Sequence, residues 1–209
     1  RAKYLLGANP DLRLDVNEIL GEVGKQYKGE VKVEHVVTAL YNDYTPEKLK
    51  EKVRFLLGNI RAAPFYGCHI FLPYRYAKFD DAEFPQKLDN LVRITGAEST
   101  DYNEKTNCCI GCGTFFGGVS EQASIRLAND IVGSASRRGA DCIVTTCPFC
   151  VMQLELGQLG MAEMGEEAHK MPVLHYVDLL GLSLGMSDRD LGLNLKRIDL
   201  TPVLAKIGM

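Results

Sequence analysis

Seven cysteines punctuate this sequence in an uneven order: Cys68, the adjacent pair Cys108 and Cys109, Cys112, Cys142, and then Cys147-Pro148-Phe149-Cys150. A Cys-x-x-Cys pair brings two sulfurs within reach of one metal or one disulfide. A turn running into a helix adds backbone N–H groups and the positive end of the helix dipole, which favour thiolate over thiol. Thiolates bind soft metals and iron–sulfur clusters. Neighbouring side chains of an extended chain point to opposite sides, so Cys108 and Cys109 suit two atoms of one cluster better than a single tetrahedral ion. A lone free cysteine behaves as a small buried hydrophobe, which is the reading for Cys142. Cys68 would read the same way but for its place at a strand end beside His69. Cys112 is ambiguous, because it makes a second Cys-x-x-Cys with Cys109.

The compartment decides what such thiols can do. The chain opens Arg1-Ala2-Lys3-Tyr4 with no apolar stretch of signal-peptide length, and the absent initiator Met reads as a processed or partial chain. The longest apolar window, Met171 to Met186, contains His175 and Asp178 and is shorter than the ~20 residues of a membrane span. A soluble, cytoplasmic protein that does not itself span a membrane is expected. Thiols stay reduced there, which points to metal or redox chemistry rather than structural disulfides. With 209 residues, 46% of them hydrophobic and 24% charged, the chain can bury a core, and disordered, collagen-like and disulfide-stapled classes are excluded. A net charge of -3 argues against nucleic acid as a partner.

The elements that must hold the cysteines fall into two regions. Residues 1–58 read as a helical linker or interdomain segment. A helix starting at Pro10-Asp11 carries an apolar stripe of Leu12, Val16, Ile19, Leu20 and Val23, a short helical piece spans His35 to Tyr41, and a basic helix follows Pro46 over Glu47 to Leu57. Residues 59–209 alternate short buried strands with helices. The strands are Ile60 to Tyr66, Cys142 to Thr146 and Val173 to Tyr176. The helices are Phe84 to Gly96, one capped by Ser120 and closed by Gly139, Pro148 to Gly157, and Val177 to Leu184, while Asn107 to Gly118 reads as a Gly/Cys-rich loop. The fold class this predicts is α/β, a mainly parallel sheet with flanking helices preceded by a helical amino-terminal segment. In such sheets sites sit at the carboxyl ends of strands.

The order Tyr66-Gly67-Cys68-His69, then Cys108-Cys109, then Thr146-Cys147-Pro148-Phe149-Cys150 resembles the cysteine-rich CCG domain. That domain occurs twice in the B subunits of CoB-CoM heterodisulfide reductases and in related succinate or fumarate reductase subunits. Val173-Leu174-His175-Tyr176 and Leu179-Leu180-Gly181-Leu182-Ser183-Leu184-Gly185 resemble the tail of the same proteins. The likeness covers essentially the whole chain and matches it to their carboxyl-terminal part, with the second CCG domain. It implies that Cys68, Cys108, Cys109, Cys147 and Cys150 ligate one noncubane 4Fe–4S cluster, and that a disulfide of the CoM-S-S-CoB type is reductively cleaved or electrons are relayed. The implied partners are a ferredoxin-like iron–sulfur subunit, a flavin subunit and the disulfide substrate. The family's Cys-Cys-Gly is here Cys108-Cys109-Ile110-Gly111-Cys112, so an inserted or substituted Ile and an extra thiol, Cys112, bear on the ligand set and the cluster type.

His69 has two readings: an ordinary capping or core histidine, or the catalytic proton donor to a leaving thiolate beside the cluster. His35, His169 and His175 are taken as structural. Arg75 and Lys78, after Pro73, read as a solvated basic turn or as an attractor for an anionic substrate. Two other functions compete. One is a structural zinc domain ligated by Cys109, Cys112, Cys147 and Cys150. The other is a thioredoxin-like dithiol exchanger using Cys147 and Cys150. The exchanger uses two cysteines and the zinc site four, whereas the cluster uses five.

Overall fold

The computed structural model describes residues 2–71, 78–115 and 117–208. Pro73 and Arg75 of the basic turn lie outside the described residues, and Lys78 is exposed. In the amino-terminal region, helices α1 (Ala2–Ala8) and α2 (Pro10–Gly21) are followed by α3 (Val36–Ala39), a π-turn over Leu40–Tyr44 and α4 (Pro46–Lys52). Then come strand β1 (Arg61–Phe65), helix α5 (Lys87–Ile94), strand β2 (Glu98–Ser99) and helices α6 (Gly111–Phe115) and α7 (Glu121–Arg137). Strand β3 (Cys142–Thr145), helix α8 (Pro148–Glu163), strand β4 (Val173–His175) and helices α9 (Tyr176–Leu184) and α10 (Thr201–Lys206) complete the described chain.

The strands form one parallel sheet in the order β2-β1-β3-β4. The protein is α/β, as its alternating pattern predicts. Because successive side chains of a strand point to opposite faces, the sheet sorts the core into two halves. Ala62, Cys142, Val144 and Leu174 face α5 and α9, where they meet Leu88, Leu91, Val92, Leu179 and Leu182. Ala63, Phe65, Ile143 and Val173 face α7 and α8, against Ala128, Ile131, Val132, Ala135 and Leu154. Burial on both faces is why these strands read as unbroken apolar runs.

The strand order places β1 and β3 side by side, with the chain leaving β1 toward one edge and β3 toward the other. This is the topological switch point of an open parallel sheet, where the loops diverge and leave a crevice at the carboxyl ends. Phe65 pairs with Thr145 and Thr145 with His175, so β1, β3 and β4 end level with one another.

Several boundaries move from their sequence expectation for identifiable reasons. The helix expected from Phe84 starts at Lys87, because Asp80 and Asp81 accept the backbone N–H groups of residues 83, 84, 86 and 87 in turns and Phe84 precedes a proline. The basic helix stops at Lys52 instead of Leu57: the N–H groups of Arg54 and Phe55 donate instead to the Ser183 carbonyl of α9, at 2.8 and 3.0 Å. Helix α8 passes through Gly157 to Glu163. A Cβ at Gly157 would collide with Ala128, so here the glycine lets α7 and α8 approach rather than ending the helix. Ser120 occupies the N-cap of α7, but its hydroxyl caps nothing. The apolar stripe of α2 buries no residue among the described ones, and Ile19 and Val23 stay exposed.

Candidate cofactor site at the carboxyl edge of the sheet

Three loops bring the cysteines to the crevice. The first leaves β1 through Tyr66 and Gly67 into a single 3-10 turn, Cys68–Ile70. Gly67 has φ +72, and a Cβ there would sit 3.1 Å from the Cys150 sulfur, so both its backbone and its lack of a side chain are required. The second runs from a 3-10 turn at Asn103–Thr106 through Cys108 and Cys109 into α6. The third leaves β3 at Thr146 and enters α8, with Cys147 as N-cap and Pro148 in the first turn.

The vicinal pair splits to two sides, as the extended-chain argument requires. Cys108 Sγ lies 3.7 Å from Cys68 Sγ, and Cys109 Sγ lies 3.3 Å from Cys150 Sγ. Cys150 also shares its proton with Cys147. The five sulfurs form a funnel with Cys109 and Cys150 buried at its floor, Cys68 and Cys147 half-buried on its walls, and Cys108 exposed at its rim. All seven cysteines are free thiols.

The environment divides them into thiolates and thiols. Cys147 is pulled down to about 5 by the hydrogen bond from Cys150, against burial, and further by the N–H groups of Cys150 and Phe149 and by the charge of His69. Cys109 is lowered by its hydrogen bond from Cys150 and by the Gly111 N–H. Cys150 is raised by the same two hydrogen bonds and by burial, so it is the proton holder of the floor. Burial, followed by its neighbour Cys108, pushes Cys68 up to about 12. Ligation of a metal centre therefore has to expel protons from Cys68 and Cys150.

Backbone donors complete the funnel. The Ile110 N–H points at Cys108 Sγ, 3.3 Å away, and the next N–H, of Gly111, at Cys109. Each of these two successive N–H groups thus offers its partial positive charge to a different sulfur. The turn that aims them holds Ile110 at φ +58, a left-handed conformation that favours glycine and costs a branched residue about 1–2 kcal/mol. Replacing Ile110 by glycine is accordingly expected to lower the stability of the metal-free protein by less than about 1 kcal/mol, because strain relief offsets the lost side chain. The same change at buried, helical Ile131 should cost roughly 3 kcal/mol or more. Denaturant unfolding of the two variants checks the contrast, and equal losses would contradict the strain argument.

The remaining sequence candidates separate. His69 is exposed on the turn after Cys68 rather than part of the core, and it is near enough to favour the Cys147 thiolate. Cys112 sits half-buried on the first turn of α6, where among the described residues no other sulfur is in hydrogen-bond contact with it; burial raises its pKa. Cys142 is fully buried in β3, pushed up to about 12 by desolvation, and packs as an apolar residue. Among the described residues, no three His, Cys, Asp or Glu donors are grouped about one point as a single metal ion would need. Paired sulfurs lining a funnel, an all-thiolate donor set and N–H groups aimed at sulfur fit an extended iron–sulfur group better than one tetrahedral ion.

The anchors behind the loops were not singled out from the sequence. The Tyr66 hydroxyl donates to buried Asp89 at 2.6 Å and accepts the N–H groups of Leu88 and Asp89, thereby capping α5, whose own N-cap, Gln86, offers no side-chain bond. Ser99 and Lys105 complete the Asp89 shell at 2.9 and 3.5 Å. Helix periodicity gave the one available signal, placing Asp89 between Leu88 and Leu91 on the buried side.

Comparison with known proteins gives four matches. Residues 62–155 match the family described as the CCG cysteine-rich domain. The chain is 36% identical over 206 residues to the B subunit of the ferredoxin:CoB-CoM heterodisulfide reductase of Methanosarcina mazei, covering 99% of this chain and 68% of that protein. It is 32% identical to the 8-methylmenaquinol:fumarate reductase membrane anchor subunit of Wolinella succinogenes, covering 89% of this chain and 64% of that one. Among solved structures, a hypothetical protein from Helicobacter pylori superposes with a TM-score of 0.69 at 15% identity, over 95% of this chain and 35% of that one, a likeness of fold. Among the described residues no helix is long and apolar enough to cross a membrane.

Proposed function

Because the chain belongs to the CCG cysteine-rich domain family of heterodisulfide reductase B subunits and their relatives, we propose that it is the iron–sulfur oxidoreductase subunit of a heterodisulfide reductase-like complex. The observation that carries the reading is the convergence of Cys68, Cys108, Cys109, Cys147 and Cys150 at the switch point between β1 and β3. These five residues would hold a noncubane 4Fe–4S cluster. When bound, the cluster would supply one-electron chemistry to the sulfurs of a disulfide of the CoM-S-S-CoB type.

The chain's own groups support that chemistry. The buried floor keeps water from Cys109 and Cys150, while the exposed rim at Cys108 leaves one side open to a substrate or an electron partner. The N–H groups of Ile110 and Gly111 and the start of α8 stabilise sulfur-centred negative charge without reorganising. His69, exposed beside Cys147, offers an imidazole proton to a departing thiolate. Cleavage of one disulfide to two thiols consumes two electrons and two protons. A ferredoxin-like iron–sulfur subunit and a flavin subunit of the same cytoplasmic complex would deliver the electrons.

Purification without oxygen, a visible spectrum, and assays of iron, acid-labile sulfide and zinc test the reading. Iron and sulfide in equal amounts with broad visible absorption are expected. A colourless protein with stoichiometric zinc and no sulfide would overturn it.

A further inference from the structure

We infer that Thr146 is a positioning residue for the cysteine funnel, setting the separation between the loop that carries Cys68 and the loop that carries Cys147 and Cys150. Backbone pairing between β1 and β3 ends at Phe65 and Thr145, so past that point the two chains diverge with no ladder between them. Thr146 spans the gap. Its hydroxyl, fully buried with the rest of the residue, donates to the Tyr66 carbonyl at 2.6 Å. Tyr66 in turn donates its N–H to the Lys105 carbonyl at 2.9 Å, which ties in the segment leading to Cys108.

The other side of the same peptide is held as well. The Thr146 carbonyl accepts a hydrogen bond from His175 Nε2 at 2.8 Å. His175 can donate there because its Nδ1 accepts the Val177 N–H, at 3.3 Å, which fixes the tautomer. Its backbone N–H donates to Asp178 at 3.0 Å, so the ring is set by the cap of α9. The imidazole of His35, from α3's N-cap, lies against the same Thr146 backbone. The peptide between Thr146 and Cys147 is thus gripped toward β1 by a hydroxyl and toward β4 by an imidazole. Its orientation decides where the Cys147 sulfur and the first turn of α8 point. Valine would fill the same volume, so the hydroxyl is what the position needs. Partners of this kind, which orient ligands without touching the bound group, govern how tightly it is held.

The inference rests on the ligand set proposed above, and its test has one arm that needs no metal. In metal-free protein shown by circular dichroism to be folded, Thr146→Val is expected to raise the rate of iodoacetamide alkylation at both Cys68 and Cys147, read by peptide mass spectrometry. Thr146→Ser, which keeps the hydroxyl, should match the wild type. In cluster-loaded protein, Thr146→Val should lose iron to a chelator about tenfold faster and show an altered electron paramagnetic resonance signature, with Thr146→Ser again restoring both. His175→Ala, which frees only the carbonyl, carries the same expectations if Thr146→Val does not fold. A folded Thr146→Val with wild-type alkylation, iron retention and resonance signature overturns the inference. A wild type that takes up no iron or sulfide overturns the ligand reading instead, and the alkylation contrast still decides the role of Thr146.

Discussion

Cys150→Ser is expected to leave the purified protein with almost no iron or acid-labile sulfide, while Cys142→Ser retains both at wild-type levels. Cys150 is the hub of the funnel: its sulfur is 3.3 Å from Cys109, shares its proton with Cys147, and is the atom toward which the face of Gly67 is left open. A serine oxygen is a hard, weakly acidic donor, a poor replacement for thiolate at an iron–sulfur group. Cys142, though equally buried, points away from the site into the α5 and α9 half of the core, so its substitution alters packing alone. Cys112→Ser separates the two ligand sets available to this sequence. Unchanged iron and sulfide in that variant agree with the five-cysteine set, whereas loss there with retention in Cys150→Ser would move ligation to Cys112.

Tyr66→Phe is expected to cost about 3 kcal/mol of unfolding free energy, with little change in side-chain volume. The hydroxyl serves three buried groups at once: it donates to Asp89 and accepts from two N–H groups at the start of α5. Phenylalanine would strand both N–H groups and leave Asp89 with Ser99 and Lys105 alone, and water cannot replace the hydroxyl because Tyr66 is fully buried and Asp89 almost so. Urea unfolding of the metal-free protein measures the loss, and a change under about 1 kcal/mol would show that α5 is capped some other way. Because Tyr66 immediately precedes Gly67 and Cys68, the variant also tests how firmly the site is bolted to the core. Faster cluster loss should accompany the lower stability.

Much of this site is legible in the chain itself. Residue type and spacing identify the cysteines capable of soft-metal chemistry, and a lone cysteine inside a strand reads as packing, as Cys142 does. The Pro after Cys147 marks the helix start whose N–H groups favour a thiolate. Alternation of strand and helix is enough to place the cysteine loops at one edge of a parallel sheet, because crossover helices force successive strands to point the same way.

Which sulfur meets which is another matter. Cys109 finds Cys150 and Cys108 finds Cys68 only because β3 inserts beside β1, a strand order that local periodicity does not encode. The left-handed turn at Ile110 contradicts local preference and exists because the two sulfur-facing N–H groups and α6 over-determine it. The phenol that caps α5 is 22 residues away in sequence from the N–H of Leu88, and the imidazole that holds Thr146 is 29 residues away. The sequence by itself therefore determined the chemistry available and the edge of the sheet where it collects. The tertiary structure decided the pairing, the protonation pattern and the anchors, because hydrogen bonds and desolvation depend on distances that only the folded chain sets.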